Sequence, residues 1–471
     1  MEPTSIFADT QQPLERPGKL EDATGPIVML PAVHQLLSRQ DTDRHIFNVT
    51  VLWELHMSLE YQVLKQTVAF LLRHHDGLRA RFSKTDQGWQ ASIIEPDDSS
   101  VPVERIDLSM VDEDQQSAAI EAEAERLQQT LDLFQGPLLR IVHFFLGEQR
   151  PCRLLFMVHH FICDGLSLDL LQQDFFTVYH QLRQGQVAWL PPKTTSVQAY
   201  GECLADYAHS EALHKELAYW DTPQRRQIAT LPADYPEGIS IPAVRKFIPS
   251  VLNEQETSLL LSLARQRMAI SDVLLAVLFQ TYTHWTGEKS MLVEISHHGR
   301  KPPFPHIDLA RTVGWIINPV PLLLFIEQAG DIRKVVHAVK EQLRQAPHDG
   351  MGFGVLRFLG NKQVQERLRS LPQPQLLFNY MGRLPSHIEE AQAIMQPARE
   401  SLRNTLSQQM VDPVQLCFTT ILRKKTLEIS CQYQENLYKR STIESFMQSF
   451  LDRLREASHL LSSNTSDLPA R

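Results

Sequence analysis

The sequence predicts a mixed α/β fold built as two lobes. Three observations predict it. At 471 residues, 43% of them hydrophobic, the chain exceeds the roughly 250–300 residues at which one core stops growing. Short β-branched runs alternate with segments of helical period in both halves. Pro-rich and irregular stretches separate those halves, at Leu190-Pro191-Pro192-Lys193-Thr194-Thr195 and between Pro232 and Pro242. The expected organisation is a flexible arm over 1–24, an N-terminal lobe over 25–189, and a linker and irregular region over 190–245. A C-terminal lobe over 246–462 and a tail over 463–471 complete it.

The elements follow in chain order. The arm is polar, with few large apolar residues, too few to pack. Order is expected from Pro26. Ile46–Leu55 is β-branched and reads as a strand. Ser58 can cap a helix to about His74, with Leu64, Val68, Leu71 and Leu72 at helical spacing. Leu78–Phe82 and Trp89–Ile94 read as short strands. Asp112–Leu133 reads as a long solvated helix, broken by Gly136-Pro137. Leu138–Leu146 and Arg153–Val158 read as buried strands. Leu166–Leu182 is helical, with Leu166, Leu170, Leu171, Phe175 and Tyr179 on one apolar face. In the second half Lys246–Leu252 and Ser290–Ile295 read as strands. Glu254–Arg265 and Asp272–Trp285 read as helices, the latter capped by Ser271 and stopped by Gly287. Val414–Leu422 and Thr426–Tyr433 suggest a strand pair, and Thr442–Leu460 a final amphipathic helix.

Composition narrows the function. Net charge is −9 and no basic run occurs, which argues against a nucleic-acid partner. The five cysteines (Cys152, Cys163, Cys203, Cys417 and Cys431) form no C-x-x-C pair, which argues against a disulfide framework or zinc site. The N-terminus lacks the apolar core of a signal peptide. Apolar stretches such as Val320–Ile326 are too short to span a bilayer. A soluble, cytoplasmic protein, monomeric by default, is expected.

The chemistry points to His159-His160-Phe161-Ile162-Cys163-Asp164-Gly165. Acyl transfer to an acceptor with its own amine or hydroxyl needs no enzyme nucleophile. One imidazole then serves as general base or positions the attacking group. His160 follows a strand, and Gly165 permits the tight turn that opens a helix. Asp164 suits ion pairing that holds the turn. Against this stands the ordinary reading of a strand histidine as a satisfied core residue. His74-His75-Asp76-Gly77 has similar residue types at the wrong spacing and ends a helix, so it reads as structural. Adjacent histidines on a strand point to opposite faces, so neither His159-His160 nor His297-His298 readily binds one metal ion. No G-x-S-x-G elbow of a serine hydrolase occurs.

His159–Gly165 resembles the HHxxxDG signature of condensation domains of nonribosomal peptide synthetases. Pro26–His34, Arg73–Phe82, Asp308–Val320, Gly354–Leu359 and Phe378–Gly382 resemble further segments of that family, in the family's order. The resemblance covers about residues 25–460. It implies two chloramphenicol acetyltransferase-like lobes in a V around a central tunnel. It implies that His160 sits beside the reacting thioester, with the Gly165 N–H close by. Base and positioning roles both stay open for the histidine. His159 and Asp164 would be structural, Asp164 paired with Arg300. Trp315, Ser296 and Asn379 would line the tunnel, with core packing the alternative for Trp315 and a turn-stabilising role for Asn379.

The implied reaction joins an acyl or peptidyl thioester to an amine or hydroxyl, giving an amide or ester. The thioester rides on the phosphopantetheine arm of a peptidyl or acyl carrier protein, so no cofactor is bound permanently. The chain shows no adenylation or carrier segment, so it reads as a free-standing enzyme or an excised domain. A free-standing enzyme could take a small soluble amine as acceptor. Several segments resemble the epimerization branch equally. That branch needs a second acid/base group, a Glu four residues before the position of Arg300. Here Ser296 stands there, with Glu294 two residues earlier on the same strand face. Ile316-Ile317-Asn318 also replaces the family's usual F-T-S. A non-catalytic recruitment module is the remaining alternative.

Overall fold

The computed structural model describes residues 23–462 except 40–43, 87, 98, 267, 384–394 and 404. Most of the expected arm and all of the expected tail lie outside the described residues. Ala23, inside the expected arm, is buried.

The described strands are β1 (Gly25–Ile27), β2 (Asn48–Leu55), β3 (Ala80–Thr85), β4 (Gly88–Ile93), β5 (Val103–Asp107), β6 (Leu139–Phe145) and β7 (Cys152–His159) in the first half. In the second half they are β8 (Lys246–Leu252), β9 (Ser290–His297), β10 (Asn318–Phe325), β11 (Leu376–Arg383), β12 (Met395–Pro397), β13 (Leu416–Arg423) and β14 (Thr426–Tyr433). They form three sheets, ordered β1-β4-β3, β12-β2-β7-β6-β5 and β10-β9-β11-β13-β14-β8. Most pairings are antiparallel. β5 runs parallel to β6, and β11 runs parallel to both β9 and β13.

The surroundings of β7 explain why its middle, Leu154–Val158, is an unbroken apolar run. All eight of its residues are buried, because helices cover both faces of its sheet. Leu155 and Met157 pack with Ile120, Ala124 and Leu127 of helix Glu113–Gln128. Leu154, Phe156 and Val158 face the other way, onto helices Tyr61–His74 and Gly165–Arg183. A central strand with two covered faces reads as an unbroken hydrophobic run. The six-stranded sheet alternates instead. Leu416, Phe418 and Leu422 of β13, with Leu427, Ile429 and Cys431 of β14, enter a core shared with helices Ile270–Thr286 and Arg440–Ser462. Glu294 and Ser296 of β9 lie on the opposite face from core residues Met291 and Val293. No described helix is long and apolar enough to cross a membrane.

Several expectations are corrected. The stretch read as linker and irregular carries helices Val197–Ala208 and Glu211–Trp220, capped by Ser196 and Ser210. Tyr200, Leu204, Leu213 and Trp220 bury into a third core with Leu309, Ile316 and Phe353. The flanking prolines hid two ordinary amphipathic helices. The helix expected to be capped by Ser58 begins only at Tyr61, and Ser271 lies inside the helix that starts at Ile270. Leu166, placed on an apolar face, is exposed. Helix Glu113–Gln128, read as solvated, contributes the buried residues named above.

The halves are also interleaved. Met395–Pro397 pairs antiparallel with β2 of the first half. Arg153 of β7 fastens that segment. Its Nε donates to both Glu400 oxygens at 3.1 and 3.0 Å, and its Nη2 lies 2.8 Å from Glu54 Oε2. Arg153→Ala is expected to lower unfolding free energy by about 3 kcal/mol, since it leaves the buried Glu400 carboxylate facing Glu54 with no cation. Chemical denaturation checks this; a loss below about 1 kcal/mol, the range of exposed ion pairs, would mean the link is loose.

Candidate active site

The site is built where β7 ends. His159 is its last residue and is fully buried. Its Nε2 lies 2.7 Å from the Arg44 carbonyl, and its Nδ1 accepts from the Phe161 N–H at 3.2 Å. These partners assign the proton to Nε2, since a carbonyl accepts and an N–H donates. Burial pushes its pKa down to about 3, so the ring is neutral. His159 thus anchors the turn that carries His160.

His160 opens a short turn, His160–Ile162, and its backbone N–H donates to the Phe47 carbonyl at 2.7 Å. Its ring stacks on Phe47, centroids 4.8 Å apart and 16° between planes, and meets Trp315 at 4.6 Å and 43°. The residue is partly exposed, neither sealed in core nor on open surface. Burial holds the imidazole pKa below its ordinary value, opposed in smaller measure by backbone hydrogen bonding to the ring and by the Asp164 charge. The ring is therefore neutral at pH 7.

Asp164 caps helix Gly165–Arg183 and links the two halves of the chain. Oδ1 accepts from the Ser167 N–H at 2.8 Å, and Oδ2 accepts from the Ile316 N–H at 3.0 Å. Arg300 Nη2 lies 3.1 Å from Oδ1 and donates to Ser167 Oγ at 2.9 Å. Arg300 Nη1 donates to the carbonyls of Leu309 and Thr312 at 2.7 and 2.8 Å. Ser167 Oγ donates to the Gly314 carbonyl and accepts from its N–H. Gly299 sits at φ +70°, and a Cβ there would strike the Ile316 carbonyl. Asp164 thus caps its own helix and, through the Ile316 N–H and Arg300, holds Thr312–Ile316 against the His160 turn. Gly165 is exposed, and a Cβ added to it would meet no protein atom within 4 Å.

The structure therefore gathers His159, His160, Asp164, Gly165, Arg300 and Trp315. Ser296 and Asn379 lie on the six-stranded sheet, opposite Pro319 and Thr419 respectively. Glu294 accepts from Gln35 Nε2 at 3.2 Å, and burial holds its carboxyl above the ordinary carboxylate range. Two contributors escaped sequence reasoning. Phe47, the ring beneath His160, sits in an apolar run with no mark to distinguish it. Ser167 lies two residues past the motif and looks like any first-turn serine.

His74, His75 and Asp174 place ligand-type atoms within 4.8 Å of one another. His75 Nε2 is 2.9 Å from Asp174 Oδ2, and Arg311 Nη2 donates to both Asp174 oxygens at 2.6 and 2.8 Å. A guanidinium there neutralises the one carboxylate a cation would need, so the cluster is a structural latch. A cavity of about 430 Å³ beside Tyr61, His143 and Cys152 lies at the opposite end of β7 from His160.

A model of the condensation domain family matches residues 34–469. The chain belongs to that family. One protein of the linear gramicidin synthase of Brevibacillus parabrevis is 33% identical over 460 residues, covering 96% of this chain and 6% of that protein. Surfactin synthase subunit 2 of Bacillus subtilis is 28% identical over 433 residues, covering 91% of this chain and 12% of that protein. The condensation domain thus spans a small part of the curated relatives it matches. Among solved structures, the epimerization domain from the third module of tyrocidine synthetase B is similar with TM-score 0.85 and 25% identity, covering 94% of this chain and all of that one. The starter condensation domain of rhizomide synthetase shares the fold, with TM-score 0.67 and 17% identity, covering 94% and 100%.

Proposed function

We propose that this condensation domain catalyses acyl transfer from a carrier-bound thioester to an amine, giving an amide; a hydroxyl acceptor would give an ester. One observation carries the reading: a neutral, partly exposed imidazole held at the junction of the two halves, with Ser296 where a second acid/base group would stand. In the reaction the amine nitrogen attacks the thioester carbonyl carbon. The carbonyl electron pair moves onto oxygen. His160 takes the amine proton or orients the amine. Collapse of the oxyanion breaks the C–S bond, and the thiolate leaves with the proton.

Asp164 and Arg300 hold the wall without touching substrate, and the open space at Gly165 admits the thioester arm. Trp315, Ser296 and Asn379 line its path. The phosphopantetheine belongs to the carrier, a peptidyl or acyl carrier protein, so the domain binds no permanent cofactor. A small soluble amine can replace a second carrier.

Epimerization of a carrier-bound aminoacyl or peptidyl group is the second reading, favoured by the TM-score of 0.85 to an epimerization domain. Ser296 weighs against it, because removing and returning an α-proton on opposite faces needs two acid/base groups. Mass spectrometry of loaded carriers with an amine acceptor, run in deuterated water, separates the readings. Amide mass without deuterium at the α-carbon is expected. Deuterium uptake with no acceptor present would support epimerization. Carrier binding with neither change would leave a recruitment module.

A further inference from the structure

At the junction of the two halves, one buried polar atom has no partner among the described residues: Nε1 of Trp315, whose ring lies against that of His160. Trp315 is 8% exposed. A buried indole N–H ordinarily finds an acceptor, and leaving it unpaired costs free energy. The ring is not free to turn away. Gly314 before it is held through both N–H and carbonyl by Ser167 Oγ, and the Ile316 N–H after it is held by Asp164. Phe47 at 5.4 Å and Phe161 at 6.1 Å pack beside it. The pattern keeps a donor-only group unsatisfied beside the imidazole.

We propose that the Trp315 indole N–H hydrogen-bonds the carbonyl oxygen of the bound thioester and stabilises the negative charge that develops there. The inference rests on the reading that the domain acts on a carrier-bound thioester, but not on which reaction follows. Attack on the carbonyl carbon puts the electron pair on that oxygen as a tetrahedral oxyanion. Removal of the α-proton puts it there as an enolate. Both call for a fixed donor that gives no proton away, and an indole N–H can donate but never accept. Trp315 then touches the reacting atoms and is a catalytic residue. The competing role is packing: Trp315 also borders a small cavity of about 30 Å³ beside Phe161 and Ile162, room enough for a water.

The test uses the whole chain labelled with ¹⁵N-tryptophan. Six tryptophans give six indole signals, and Trp315→Phe assigns the one of interest. The probes are two stable pantetheine derivatives at saturation, judged from other shifted signals: an acetamide, which keeps the carbonyl, and an S-ethyl thioether, which lacks it. The Trp315 indole proton is expected to move downfield with the acetamide only. Trp315→Phe, which keeps an aromatic ring against His160, is expected to lower kcat by about 10²-fold with little change in carrier KM or Tm. An equal response to both probes, no response to the acetamide, or a kcat loss that merely follows a fall in Tm would overturn the assignment. Because the signal is read without turnover, a chain that forms no product refutes the proposed function while leaving this outcome separate.

Discussion

His160→Ala is expected to lower product formation in a two-carrier condensation assay by about 10²–10⁴-fold, the range of a lost general base, with the fold intact. The ring is partly exposed, and its structural contacts are two aromatic faces and a backbone bond that alanine keeps. Stability should therefore change far less than rate. The pH profile gives a second reading. Burial lowers the His160 pKa, so the base form is lost only as pH falls through that folded value. The acid limb of the rate should lie below pH 6.5, and wild type should hold its rate from pH 7 toward 6.5. Stability follows the same sign. His159, held near 3 in the fold, would gain a proton near 6.5 once unfolded, so acid below 6.5 favours unfolding. A His160→Ala variant that keeps most of the wild-type rate would remove the imidazole from the mechanism.

Asp164→Ala is expected to cost about 3–5 kcal/mol of stability, as breaking a buried ion pair does, and to lower the rate with it. The side chains of Asp164 and Arg300 are 2% and 9% exposed. Removing the carboxylate strands the guanidinium charge and leaves the N–H groups of Ser167 and Ile316 without their acceptor. The segment that carries Trp315 would then lose its seat against His160. Asp164→Asn keeps an acceptor but not the charge, and should fall between the two. Thermal unfolding and single-turnover rates measured on the same preparations check this. An Asp164→Ala protein with unchanged Tm and no activity would mean that the carboxylate acts on substrate.

Much of the site was legible because its parts are close in sequence. A strand, a turn and a capped helix are local choices, written in the apolar run of β7, in Asp164 and in Gly165. The ion pair with Arg300 was legible only through the family resemblance, since nothing local joins residues 136 apart. The helices within 190–245 were not legible because Pro191, Pro192 and Pro232 mark chain breaks on either side of the Ser196 and Ser210 caps. The placement of Met395–Pro397 beside β2 had no local signal at all, because strand pairing is chosen by the partner edge and by the Arg153–Glu400 link.

The order of residues alone dictates the α/β character, the strand that ends in the double histidine and the capped helix that follows. Periodicity and capping act over a few residues and need no distant partner. Three features instead arise only when the chain is folded: Phe47 and Trp315 enclose His160, Ser167 and Asp164 pin the tryptophan, and the Trp315 indole N–H stays unpaired there. Those features depend on burial and on contacts between distant segments, which a linear string of residues does not display.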